Sequence, residues 1–345
     1  GIDAMRDRIV FSGHSEFAYL ASVHTSVWGA RRDYETVAQP SHPFARSKPP
    51  GQLALYIVAA DLAERLPWPD QMGSQGAIVN ARHRRLDNFA ALFFPPISLL
   101  VLLPLFGLAR RLVPPERALW PLLLYVLVPQ TVLVTLHLDQ VVYPLLVATT
   151  LWCVARAATA RRWPLWWAAA GACTWLGLFV SFSLLPSLLV VPFVFWTAAT
   201  ARDRAQLRRL ALGLAAAAAA FLALQGLAHL LIGYDLHRAY ARCLLNHRQW
   251  KHFSAADRGL AIRLDLSEFG YWTGLELIAL LLAAAGVELW GWARCPRQPQ
   301  RLLALGVVVM IGATAILGDT LAEVARLWIF MVPLVVLVAA DALAK

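Results

Sequence analysis

At 345 residues the chain is long enough for two or three soluble domains, but 59% of it is hydrophobic, 15% is charged and the mean hydropathy is +0.57, which excludes an ordinary soluble protein and points to an integral membrane protein. The net charge of +10 does not indicate a nucleic-acid partner. Most arginines stand in short clusters between apolar runs, where they set membrane topology. The four cysteines, Cys153, Cys173, Cys243 and Cys295, are widely spaced and contain no CxxC, so they indicate neither a zinc site nor a disulfide framework.

In chain order, residues 1–48 mix charges, histidines and aromatics with no long apolar run, and are expected in water or at the membrane surface. Within them Glu16-Phe17-Ala18-Tyr19-Leu20 reads as a short amphipathic helix. The chain opens on Gly1 with neither a Met nor a signal pattern, which suggests a fragment or a processed form. Next comes Ser41-His42-Pro43-Phe44-Ala45-Arg46-Ser47-Lys48-Pro49-Pro50-Gly51, whose prolines hold Lys48 just before a helix that can begin at Pro49 or Pro50. Residues 49–66 are apolar at helical spacing, carry Asp61, Glu64 and Arg65 and stop at Pro67, as expected of an interfacial helix. A polar connector follows over 67–88.

From there the expected fold is all-α, a polytopic transmembrane bundle of about nine helices, each apolar run being long enough for a core of roughly 30 Å. The spans are expected near 89–108, 118–136, 140–157, 164–180, 183–199, 209–232, 268–291, 302–318 and 326–343, with a long loop at 233–267. Residues 1–88 form the first outer-face region and 89–345 the bundle. Alternate loops carry Arg110, Arg111 and Arg117; Arg156, Arg161 and Arg162; Arg202, Arg204, Arg208 and Arg209; and Arg294, Arg297 and Arg301. The positive-inside rule puts these in the cytoplasm. Arg82, His83, Arg84 and Arg85 precede the first span on the other side and disagree with the rule. Nine spans would leave Gly1 outside and Lys345 inside, so a further helix is expected before Gly1.

This topology gathers Glu16, Asp33, Glu35, His14, His42, Lys48, Asp139, Glu268, Asp319, Glu323 and Arg326 at one surface. Asp139 sits at the bilayer edge, either as a used carboxylate or as a helix-start Asp favoured by the dipole of the next span. Glu323 and Arg326, three apart, suit a mutual pair. Either Glu16 or Asp33 can supply a base. Lys48 reads as a phosphate contact or as part of a rigid loop. The histidines lack HxxxH or HExxH spacing. In 233–267, Arg238, Arg242, His247, Arg248, Trp250 and Lys251 interleave basic and aromatic side chains, a surface suited to a phosphate headgroup or to anionic lipid in general.

Ser15-Glu16-Phe17-Ala18-Tyr19, Lys48-Pro49-Pro50-Gly51 and Leu138-Asp139-Gln140, in this topology, resemble the GT-C membrane glycosyltransferases, in particular the protein O-mannosyltransferase and aminoarabinose-transferase-like branch. The resemblance implies an acidic residue at Glu16 acting on the acceptor, Lys48 at the carrier phosphate or the acceptor, Asp139 helping to bind, and a polyprenyl-phosphate sugar as donor. That branch often has Asp-Glu where this chain has Ser15-Glu16, so the base remains Glu16 or Asp33. His14, His42, Arg242, Arg248 and Arg326 complete the candidate phosphate-binding set. A divalent metal would suit as a bridge from carboxylate to phosphate, although no pattern demands it. The expected setting is the bacterial inner membrane, multi-pass, with the active face outward and the bilayer, the donor and a glycan, lipid or protein acceptor as partners. Two rivals are a transporter or flippase for a lipid-linked substrate and a non-catalytic subunit of an envelope-assembly complex. Against transport, the ionisable groups gather at one face instead of mid-span.

Overall fold

A computed structural model gives the fold, described for residues 16–24, 34, 43–67, 80–133, 137–199, 203–251, 299–317 and 328–343. The described residues are helical or in short connections, with no strand among them. Among the described residues three helices, Ala81–Leu112, Val141–Thr159 and Arg204–Ile232, are long and apolar enough to cross a membrane, and Phe182–Ala198, Arg301–Ile316 and Ile329–Ala340 are shorter apolar helices. The expected span at 268–291 lies outside the described residues.

Three helices build an N-terminal lobe: α1 (Glu16–Val23), the single turn α2 (Pro43–Arg46) and α3 (Gly51–Glu64). The first half of α4 (Ala81–Ser98) completes it. Their shared core holds Phe17, Leu20, Leu53, Ile57, Leu86 and Phe94. Tyr56 stacks on Phe17 at 5.9 Å and meets Phe94 edge-on. The segment expected as an interfacial helix is thus a helix packed into this core. Helix α3 buries nine of its fourteen residues, and at its start a Cβ on Gly51 would collide with the backbone of Phe179.

Its acids are not surface acids in the ordinary sense either. Arg82, with 8% of its side chain exposed, donates 2.6 Å bonds to Asp61 and Glu64 and a third, of 3.0 Å, to the carbonyl of Ala21. That pairing neutralises, inside the lobe, the charge of one member of the Arg82–Arg85 cluster that disagrees with the topology rule. Helix α4 also starts earlier than expected. Asn80 caps it by accepting the His83 N–H at 2.8 Å, so the last part of the predicted connector is helical. After Pro95 and Pro96 the helix tightens to 3₁₀ over Leu99–Val101 and continues as α5 (Leu102–Leu112).

The bundle proper contains α6 (Trp120–Leu127) and α7 (Pro129–Leu133), separated at Val128 before Pro129. Then come α8 (Leu138–Thr159), α9 (Trp163–Val180), the 3₁₀ stretch Phe182–Val190 and α10 (Val191–Ala198). Helices α11 (Arg204–Ile232), α12 (Leu236–Lys251), α13 (Pro299–Leu317) and α14 (Val332–Leu343) follow. Helices α9 and α11 run side by side, so closely that a Cβ on Gly171 would strike the Ala217 backbone. Trp175 Nε1 donates to Gln225 at 3.0 Å further along the same seam.

The two ends of the bundle are built differently. At one, Arg111 Nη1 donates to Thr159 Oγ1 at 2.9 Å and Arg209 Nη1 to the Ala158 carbonyl at 2.7 Å. At the other, α11 stops at Gly233, whose φ of 66° is left-handed, and Asp235 accepts the Arg238 N–H at 3.0 Å to start α12. This Gly-Tyr-Asp corner turns the chain out of an apolar helix and back over the N-terminal lobe. The interfacial loop expected at 233–267 is thus helical as far as Lys251.

Candidate functional site

The turn 43–48 is the point where three separate stretches meet. Glu16, in the first turn of α1, accepts the Ala45 N–H through Oε2 at 2.8 Å. The Tyr34 hydroxyl donates to the Ala45 carbonyl at 2.6 Å. The same carbonyl accepts the Lys48 N–H at 3.1 Å, which closes the turn. The backbone of Ala45 is therefore held at both its N–H and its carbonyl by side chains from elsewhere. Lys48 is only 6% exposed.

Helix α12 covers this turn. Asn246 Nδ2 donates to the Arg46 carbonyl at 3.1 Å, and the Arg242 guanidinium lies 5.4 Å from the centroid of the Tyr34 ring. Cys243 is buried between them, and burial pushes its thiol up to about 11, with the Arg242 and Lys48 cations pulling the other way. Burial also raises the Tyr34 hydroxyl well above its ordinary value; Cys243 and Glu16 add to the rise and Arg242 opposes it. Asp235, at the start of α12, is held below the usual carboxylate value by the N–H of Arg238. One carboxylate and two cations, Glu16, Lys48 and Arg242, share this neighbourhood.

The floor is made by the ends of the long helices. Gln52 Nε2 donates to the Tyr143 hydroxyl at 2.9 Å, and the Leu138 N–H donates to the Tyr56 hydroxyl at 3.2 Å. Asp139 therefore falls in the first turn of α8, beside a tyrosine that stacks on the neighbour of Glu16. The sequence candidates thus divide. Glu16, Lys48 and Arg242 come together. Asp139 and Arg248 are described only as positions on α8 and α12, and His14, Asp33, His42 and Arg326 lie outside the described residues. Among the described residues no group of three or more His, Cys, Asp and Glu could hold a metal ion.

Sequence reasoning missed Tyr34, Gln52, Cys243 and Asn246. Gln52, isolated polar in an apolar helix, was the one readable signal. Tyr34 and Asn246 act on backbone carbonyls, which leaves no pattern of residue types to recognise.

Outside the turn, aromatic residues crowd the same end: Trp175 stacks on Phe179 at 5.1 Å, Phe179 meets Tyr234 edge-on at 5.0 Å, and Phe182 meets Tyr240 edge-on at 5.2 Å. The arrangement suits the boundary between bilayer and water. A half-buried carboxylate, two nearby cations and a rim of aromatics can polarise a hydroxyl and hold a phosphate next to a lipid surface. Compared with protein-family models, curated protein sequences and solved structures, the chain matches none.

Proposed function

We propose that this chain is a multi-pass membrane glycosyltransferase of the GT-C type, which moves a sugar from a polyprenyl-phosphate donor to a glycan, lipid or protein acceptor. The observation that carries the reading is the convergence of Glu16, Lys48 and Arg242 on one turn beside the ends of apolar helices. In this reading Glu16 takes the proton of the acceptor hydroxyl as its oxygen attacks the anomeric carbon. The bond from that carbon to the phosphate oxygen breaks, and Lys48 and Arg242 neutralise the charge that develops on the departing phosphate. The configuration at carbon inverts. By the positive-inside rule the arginine-rich end faces the cytoplasm, and the site then opens on the outer face of a bacterial inner membrane.

The experiment is sugar transfer from a radiolabelled polyprenyl-phosphate sugar in membranes holding the full chain or its Arg242→Gln or Lys48→Met variant. Each variant is expected to lose transfer by at least tenfold, about one charge-assisted contact. Undiminished transfer in both overturns the assignment, and movement of the lipid-linked sugar across the membrane without transfer assigns a flippase.

A further inference from the structure

The opposite end of the bundle holds a second set of cations that the proposed reaction leaves unused. Three helices bring arginines to the last turn of α8. Arg156 belongs to that turn; Arg111 reaches it from α5 through the 2.9 Å bond to Thr159; Arg209 reaches it from α11 through the 2.7 Å bond to the Ala158 carbonyl. None of these three, nor Arg110 beside them, forms an ion pair with a described carboxylate; the ion pairs of Arg82 lie in the N-terminal lobe. The end of α8 supplies about half a negative charge, against three positive ones.

Arg156 adds a separate sign. Its guanidinium lies 4.9 Å from the centroid of the Trp166 ring, while its Nε is buried and has no hydrogen-bond partner among the described residues. A buried, unpaired N–H on a charged group is costly and is normally met by an acceptor. The guanidinium fork matches the oxygens of a phosphate.

We propose that Arg111, Arg156 and Arg209 form a binding site for the phosphate of an anionic phospholipid from the bilayer. The position selects a lipid over a soluble anion. Helices 81–112, 141–159 and 204–232, on which the three arginines stand, are each long and apolar enough to span a membrane. Leu103, Leu165 and Leu207 are exposed on the neighbouring helices and give acyl chains an apolar surface to follow. This site is independent of the glycosyl-transfer reading.

The test uses the full-length protein in phosphatidylcholine nanodiscs with and without phosphatidylglycerol. The readouts are the phospholipid retained on the intact protein by mass spectrometry and the thermal unfolding midpoint. Retained phosphatidylglycerol and a raised midpoint are expected for the native protein and for Arg161→Gln, an exposed arginine outside the set. Arg156→Gln is expected to lower retention about tenfold, the loss of one charge-assisted contact, with its midpoint in pure phosphatidylcholine unchanged. Arg111→Gln repeats the measurement from another helix if Arg156→Gln fails to fold. Equal retention by native protein and variant, or equal retention of both lipids, overturns the proposal. Displacement of the lipid by millimolar inorganic phosphate also overturns it, and assigns a soluble anion.

Discussion

Glu16 has a structural role and a proposed chemical one, and a single substitution separates them. The bond it accepts from Ala45 N–H needs an oxygen but no charge. Glu16→Gln keeps such an oxygen and removes the basicity, so it is expected to melt within a degree or two of the native protein while transfer falls about 10²-fold or more. Glu16→Ala loses both. A Glu16→Gln variant that transfers normally would return the carboxylate to a purely structural role. Tyr34 makes the complementary case. Tyr34→Phe deletes the 2.6 Å bond to Ala45 and is expected to cost about 1 kcal/mol in thermal or denaturant unfolding. The hydroxyl also carries a pH signature. Burial holds its folded pKa well above 10.0, so the unfolded chain releases the proton first as pH rises. Its contribution to stability is complete below about pH 10 and declines above it. The Phe variant should lack that part of the alkaline decline, which parallel melts at neutral and alkaline pH would read.

At the scale of elements, α3 shows how charge and burial trade. Asp61 and Glu64 keep about two-fifths of their side-chain surface exposed, whereas Arg82 is almost wholly enclosed. Arg82→Met therefore leaves two carboxylates that water can still reach. The expected loss is about 1.5–3 kcal/mol, that of charge-assisted bonds, instead of the larger penalty for a stranded buried ion. Denaturant unfolding of the variant measures it, and a change within 0.5 kcal/mol, about the scatter of surface substitutions, would contradict the latch. The seam of α9 and α11 is a packing problem with no charge in it. A side chain at Gly171 meets the Ala217 backbone, which cannot rotate away. Gly171→Leu is expected to separate the two helices and lower the melting midpoint by several degrees, while Gly226→Leu, where a Cβ meets nothing within 4 Å, should be tolerated.

For the whole molecule, the helices were legible because each apolar run is bounded by arginines, prolines or a cap: α9 and α11 follow the predicted 164–180 and 209–232. The role of α3 was hidden. Asp61, Glu64 and Arg65 look like a solvated edge until Arg82, on a different helix, is brought against two of them. The candidate site was legible as residue types, since Glu16, Lys48 and Arg242 stand in polar stretches that the topology gathers at one surface. Its geometry was not, because Tyr34 and Asn246 bind backbone carbonyls, and nothing in their sequence surroundings marks a carbonyl as a target. The molecule that results has an acid and two cations at one end and a set of arginines without a described carboxylate partner at the other, with apolar helices between. That polarity underlies the proposal of a lipid-linked donor, because it sets a phosphate-attracting site at a bilayer edge.

The most direct measurement is transfer of radiolabelled sugar from polyprenyl phosphate by the native chain and Glu16→Gln, both in membranes at matched expression. The account predicts labelled acceptor with the native chain and a loss of about 10²-fold or more with an equally stable Glu16→Gln protein. Equal labelling by the two, or none by the native chain when supplied with donors of several sugars and membrane acceptors, would contradict it.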